Sequence, residues 1–190
     1  MINDLKILGN KILYEEGLYD ILSKLGHLQI VGSYDLDLLV KPDIDISVSV
    51  DEYNIEKYFS VCKEIAQNIK PIRMKYIDQS VAQFSEFPFD TGYFLGINLE
   101  RNNIKWSIDV WLFKEGIFKE RVAYHNSIKE KINEINRGII IEIKSSIYKN
   151  PNYRSVDLYE SVLFDNVKSL EDFHKWYEKK YSKSFLDSVS

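Results

Sequence analysis

The sequence predicts an α+β protein: a small mixed β-sheet with flanking helices, followed by a C-terminal helical region. Two patterns lead there. Apolar residues alternate with period two over Asp43–Val50, and β-branched and aromatic residues crowd Tyr93–Leu99 and Ile104–Phe113, whereas from about Gly116 onward the apolar spacing is helical. With 190 residues, 45% hydrophobic and 14% aromatic, the chain can bury a full core as one domain or as a domain with an appendage.

The elements follow in order. Leu5, Leu8, Ile12, Leu13, Leu18, Ile21, Leu22 and Leu25 recur at helical spacing up to Gly26, giving an opening amphipathic helix with a possible break at Gly17. His27–Val31 reads as a short strand ending at Gly32-Ser33, and Asp35–Val40 as a brief turn or helix before Pro42. Asp43–Val50 is the next strand. Asp51 is expected to cap a helix reaching about Lys70, with Ile55, Tyr58, Phe59, Cys62, Ile65, Ala66 and Ile69 as its apolar stripe. Strands at 72–77, 93–99 and 104–113 come after it, the last two joined at Asn102-Asn103, residues that accept the positive φ angles of a tight hairpin. Residues 78–92, with Phe84, Phe87, Pro88 and Phe89, show no period and are expected to form a long loop near the site. Helices are expected near 117–133, 136–149, 155–166 and 169–181, the last opening on Ser169-Leu170-Glu171-Asp172. The resulting domain organisation is an α/β part over 1–115 and a helical region over 116–190 packed on it.

Charge and cysteine content narrow the function classes. A formal charge of −4 gives no global attraction to nucleic acid or to an anionic membrane, which makes a polynucleotide a weaker substrate expectation than a small molecule. The single cysteine, Cys62, cannot form an internal disulfide, in keeping with a reducing cytoplasmic setting. No signal-peptide layout opens the chain, and no apolar run approaches the roughly 20 residues that span a bilayer.

Chemistry concentrates in three places. Period-two alternation in Asp43-Ile44-Asp45-Ile46-Ser47-Val48 puts Asp43 and Asp45 on one strand face and the aliphatic residues on the other. Two carboxylates a few ångströms apart repel, so that one protonates or both bind a hard divalent cation. Asp109, within Trp106-Ser107-Ile108-Asp109-Val110-Trp111, supplies a third strand-borne acid, and by parity Trp111 shares its face while Trp106 does not.

A strand, Gly32-Ser33, nine residues, then Asp43-Ile44-Asp45 resembles the signature of the DNA polymerase beta-like nucleotidyltransferase superfamily, with Asp109 where its third carboxylate is expected. The stretch from Gly32 to Asp45 looks most like the small bacterial lincosamide and aminoglycoside nucleotidyltransferases, and the resemblance extends over residues 5 to 113. It implies that Gly32 and Ser33 receive nucleotide phosphates, and that Asp43, Asp45 and Asp109 are both catalytic and metal-binding, holding Mg²⁺ or Mn²⁺. It further implies transfer of a nucleoside monophosphate from a nucleoside triphosphate to a hydroxyl of a small acceptor, an antibiotic being the best-known precedent. The alternative is a catalytically silent member that binds a nucleotide or a protein. One departure bears on this choice: many active members carry an arginine just after Gly-Ser, whereas this chain has Tyr34-Asp35-Leu36-Asp37. Lys41, Arg73 or Lys105 could supply the positive charge, and spacing does not choose among them. Asp35 and Asp37 read as exposed turn residues, and His27, His125 and His174 lack metal-ligand spacing and receive no role.

Overall fold

The computed structural model describes residues 2–79 and 92–186. The expected Phe84–Phe89 loop therefore lies outside the described residues. Spatial proximity groups the chain into two compact units, Met1–His125 and Asn126–Ser190.

In the first unit, α1 (Ile2–Asn10) runs into a wider π-helical turn at Lys11–Glu15, and α2 (Leu18–Ser23) follows. The break falls at Gly17, whose φ of +82° is a left-handed conformation that glycine adopts without steric cost. Strand β1 (His27–Val31) ends in a single helical turn, α3 (Gly32–Asp35), and β2 (Asp43–Val50) matches the expected acidic strand. Helix α4 (Ile55–Asn68) begins three residues later than Asp51 would place it: the cap is Asn54, whose side chain accepts the Lys57 N–H at 2.8 Å. Strands β3 (Arg73–Asp78), β4 (Tyr93–Arg101) and β5 (Ile104–Lys114) complete the sheet. Asn102 and Asn103, at φ +53° and +60°, turn the β4–β5 hairpin as their residue types suggest. Helix α5 (Glu115–Lys131) then carries the chain across the division between the units.

Strand order is β1-β2-β5-β4-β3. β2 and β5 run parallel and every other neighbouring pair antiparallel, so the sheet is mixed. Its apolar face holds Ile44, Ile46 and Val48 beside Ile108, Val110 and Leu112, and Leu95, Ile97 and Leu99 beyond them. This face shares one core with Leu13, Leu18 and Leu22 of the N-terminal segment and with Tyr58, Val61 and Ile65 of α4. Tyr58 is anchored by donating its hydroxyl to the Phe94 carbonyl at 3.1 Å, which keeps its polar atom satisfied while the ring is buried. The expected α4 stripe was drawn too wide: Ile55 and Phe59 are 41% and 50% exposed. Trp106 is buried in the core and Trp111 lies on the other face, as strand parity requires.

The second unit contains α6 (Glu134–Ile147), α7 (Ser155–Leu163) and α8 (Leu170–Tyr181). Asn133 and Asn136 form a reciprocal capping box at the start of α6, and Ser169 accepts the Asp172 N–H at 3.1 Å to cap α8. Ile140, Ile143, Ile147, Leu158, Val162, Phe173, Tyr177 and Phe185 are buried. The Phe173 and Phe185 rings meet edge-on at 5.2 Å. No described helix is long and apolar enough to cross a membrane.

Candidate functional site

The sheet's second face, opposite the core, assembles the three acids by register. Asp45 of β2 pairs directly with Asp109 of β5, and Asp43 pairs with Ser107 one step along. Paired residues project to the same face, so a half-buried row of Asp43, Asp45 and Asp109 forms where two parallel strands run side by side. The row continues outward: Asp109 pairs with Gly96, which pairs with Lys75 of β3, and Ser107 pairs with Asn98, which pairs with Arg73. An acidic centre thus lies on the same face as a basic edge strand, with a residue lacking a side chain between Asp109 and Lys75.

Gly32-Ser33 meets this row from β1. Val31 pairs with Asp45, and the chain then turns at Gly32 with φ +68°. A Cβ at position 32 would fall 2.1 Å from Asp45 Oδ2 and 2.9 Å from its Cγ. Glycine is therefore required twice over, by the backbone angle and by the carboxylate that occupies the space. Ser33 is buried beside it.

Electrostatics follow from the geometry. Lys41 Nζ lies 2.9 Å from Asp43 Oδ2. Burial pulls the Lys41 ammonium down, but the charge and hydrogen bond of Asp43, with the charges of Asp45 and Asp109, outweigh it and hold the ammonium above its ordinary range. Burial and then the charge of Asp43 push Asp109 up to about 6, against the opposing pull of Lys41, a hydrogen bond from Ser107 and the charge of Lys75. Three carboxylates thus share a patch that positive charge only partly compensates. Among the described residues, no group of three or more His, Cys, Asp or Glu side chains is drawn together closely enough to hold a metal ion as it stands. The donor chemistry nonetheless suits a hard divalent cation: three carboxylates on one face, one of them disfavoured in its charged form.

Of the three basic candidates, Lys41, just before β2, pairs with Asp43, while Arg73 donates from Nε to Asn98 Oδ1 at 3.1 Å. Two residues here went unread in the sequence. Arg121 of α5 stacks over Phe113, 4.6 Å from the ring centroid; burial lowers its pKa and the charge of Asp45 opposes that. His125 is buried, and its Nε2 lies 2.7 Å from Asp35 Oδ2 while its Nδ1 accepts the Gly32 N–H at 3.3 Å. The expectation that Asp35 is an exposed turn residue is corrected by this pairing, which leaves its side chain 22% exposed. Asp37 is exposed, as expected, and pairs with Lys6 at 2.8 Å. A signal was present for Arg121 and His125, which stand one helical turn apart, but nothing local ties them to a turn some ninety residues upstream.

No protein-family model and no curated protein matches the chain. Solved structures do match its fold. The chain is similar to the Cid1 poly(U) polymerase, in a form with Mg and 3′-dATP bound, at TM-score 0.58 and 12% identity over 85% of this chain and 49% of that one. It is similar to the non-canonical poly(A) polymerase of the GLD-2–GLD-3 complex at TM-score 0.53 and 15% identity, covering 100% of this chain and 64% of that one. A cytoplasmic RNA terminal U-transferase gives TM-score 0.53 and 16% identity over 85% of this chain and 47% of that one. The chain's α+β fold, five mixed strands flanked by helices, is therefore similar to that of these polymerases. The chain spans between 47% and 64% of the length of these neighbours. The closer likeness to small antibiotic-modifying transferases is not confirmed by them.

Proposed function

We propose that the protein is a divalent-metal-dependent nucleotidyltransferase that moves a nucleoside monophosphate from a nucleoside triphosphate to a hydroxyl acceptor. The observation that supports this most is the contact of the two signature pieces: Gly32 lies so close to Asp45 that no Cβ fits between them, and Asp45 pairs with Asp109. A phosphate received at the turn would therefore lie beside the acids. Asp43, Asp45 and Asp109 would hold Mg²⁺ or Mn²⁺, which supplies charge neutralisation of the triphosphate and acidification of the acceptor hydroxyl.

The chain's own residues supply the rest. Because Gly32 N–H is directed to His125, phosphate recognition falls to the Ser33 hydroxyl and the amides after it. Asp109, paired with Asp45 across β2 and β5, would share the metal and take the acceptor's proton as its hydroxyl attacks. Lys41 holds Asp43 and partly neutralises the row before substrate arrives.

The acceptor we infer is the 3′-hydroxyl of an RNA rather than a small molecule. The similar polymerases extend RNA by name, and Arg73 and Lys75 put positive charge on the sheet face that carries the acids. This runs against the expectation drawn from net charge, which says nothing of a local patch. Incubating the protein with each of the four nucleoside triphosphates, Mg²⁺ or Mn²⁺, and a labelled RNA oligomer should give a longer, untemplated product and release pyrophosphate. Pyrophosphate release only with hydroxylated small molecules would restore the small-acceptor reading. No release with either acceptor class would favour a catalytically silent binding protein.

A further inference from the structure

We propose that His125 is a positioning residue that holds the Gly32-Ser33 turn against the acidic strands. The inference rests on the proposed role of that turn in receiving nucleotide phosphates. Gly32 N–H can only donate, so the Nδ1 that accepts it carries a lone pair; the proton of a neutral imidazole is then on Nε2, from which it is donated to Asp35 Oδ2 at 2.7 Å. Asp35 thus sets the tautomer, and His125 passes that order to the turn, as a carboxylate behind a histidine orients it in other polar sites.

The arrangement ties two distant pieces of chain together. His125 comes from α5, and Gly32 and Asp35 open and close the turn α3 that follows β1. Gly32 O accepts the Leu36 N–H at 3.2 Å and Ser33 O accepts the Leu38 N–H at 2.9 Å, so the carbonyl side of the turn is fixed locally. The Gly32 amide has no such local partner in a left-handed conformation, and the imidazole fills that need. Arg121, one helical turn before His125, brings α5 within reach of Asp45's charge. One helix thereby touches both halves of the site.

The two ring nitrogens can be separated by substitution. In His125→Asn the side-chain oxygen stands near the Nδ1 position and can accept from Gly32, whereas in His125→Gln the amide nitrogen stands near the Nε2 position and can serve only Asp35. We would measure hydrogen exchange at the Gly32 amide and the affinity for ATP and for UTP with Mg²⁺ in both variants. The expected result is an increase of about tenfold in Gly32 exchange and a loss of about tenfold in nucleotide affinity for His125→Gln, the scale of one hydrogen bond, with His125→Asn close to wild type. Unchanged Gly32 exchange in His125→Gln, or equal losses in both variants, would overturn the proposal in favour of a histidine that merely satisfies Asp35. The imidazole ¹⁵N shifts of the unmutated protein give a reading independent of any variant's folding: a protonated Nε2 and bare Nδ1 support the proposal, and the opposite tautomer overturns it. Absence of nucleotide binding in the unmutated protein would count against the proposed function, while Gly32 exchange would still decide whether His125 holds the turn.

Discussion

Asp109 on the sheet and Asp157 in the helical unit are carboxylates held largely out of water, and their surroundings treat them in opposite ways. Asp157, 1% exposed, accepts from Lys180 Nζ at 3.0 Å and from the Tyr181 hydroxyl at 2.7 Å, with Arg154 Nε 3.8 Å away. Lys180 also reaches Glu160 at 3.0 Å. That network joins α7 to α8 and sets cations and a hydroxyl against the buried charge, all of the Asp157 hydrogen bonds falling on Oδ1. Asp109 shares its row with Asp43 and Asp45, receives one side-chain hydrogen bond from Ser107, and feels Lys41 and Lys75 only in part, so burial and repulsion raise it to about 6. Asp157 is thus countered on Oδ1 by its own chain, while its buried Oδ2 has only the distant Arg154 and no hydrogen bond; Asp109 faces two further carboxylates instead, a repulsion that a divalent cation would relieve under the proposed function.

The sharpest way to break this comparison is to remove each charge in turn. The folded Asp109 holds its proton more tightly than its ordinary value of 3.8. Its contribution therefore favours the fold below about pH 4 and is lost as pH rises through about 6. Asp109→Asn should raise metal-free stability at pH 7 by up to about 3 kcal/mol, with the difference from wild type vanishing near pH 4; urea melts between pH 4 and 8 measure it. Asp157→Ala should do the reverse, costing about 2 to 3 kcal/mol by stranding the Lys180 and Tyr181 donors, with little dependence on Mg²⁺. A stabilising Asp157→Ala or a destabilising Asp109→Asn would erase the distinction.

Two smaller effects sharpen it. Gly32→Ala forces a side chain onto φ +68° and against Asp45 Oδ2, and should cost about 2 kcal/mol in thermal stability while weakening nucleotide binding. Lys41→Ala removes a half-exposed partner of Asp43; stability should change by less than about 1 kcal/mol, and Mg²⁺ should bind a few-fold more tightly because a competing cation is gone. Calorimetric titration with Mg²⁺ checks the sign.

Much of the site was legible because it is local. Period two over residues 43–50 places both acids on one face, and Gly32-Ser33 needs only to follow a strand. The cap of α4 was misplaced because Asp51 and Asn54 are both good capping types, and only the direction of the Lys57 amide chooses between them. Which of Lys41, Arg73 and Lys105 neighbours the acids was left open, since it depends on where each side chain is directed: Lys41, two residues before Asp43, reaches it, while Arg73 on edge strand β3 turns to Asn98. His125 was missed for a related reason. Its partners lie 93 and 90 residues away in the chain, and an isolated histidine in an amphipathic helix carries no trace of what it will face.

The central claim is that the acidic row completes itself with a divalent ion and a nucleotide. Thermal melting with each of the four nucleoside triphosphates, with and without Mg²⁺ or Mn²⁺, tests it most directly when run beside the Asp43/Asp45/Asp109→Asn triple variant. The account predicts a rise in melting temperature that needs both metal and nucleotide and is absent from the variant. An equal rise in the variant, or none in wild type with any combination, would contradict it.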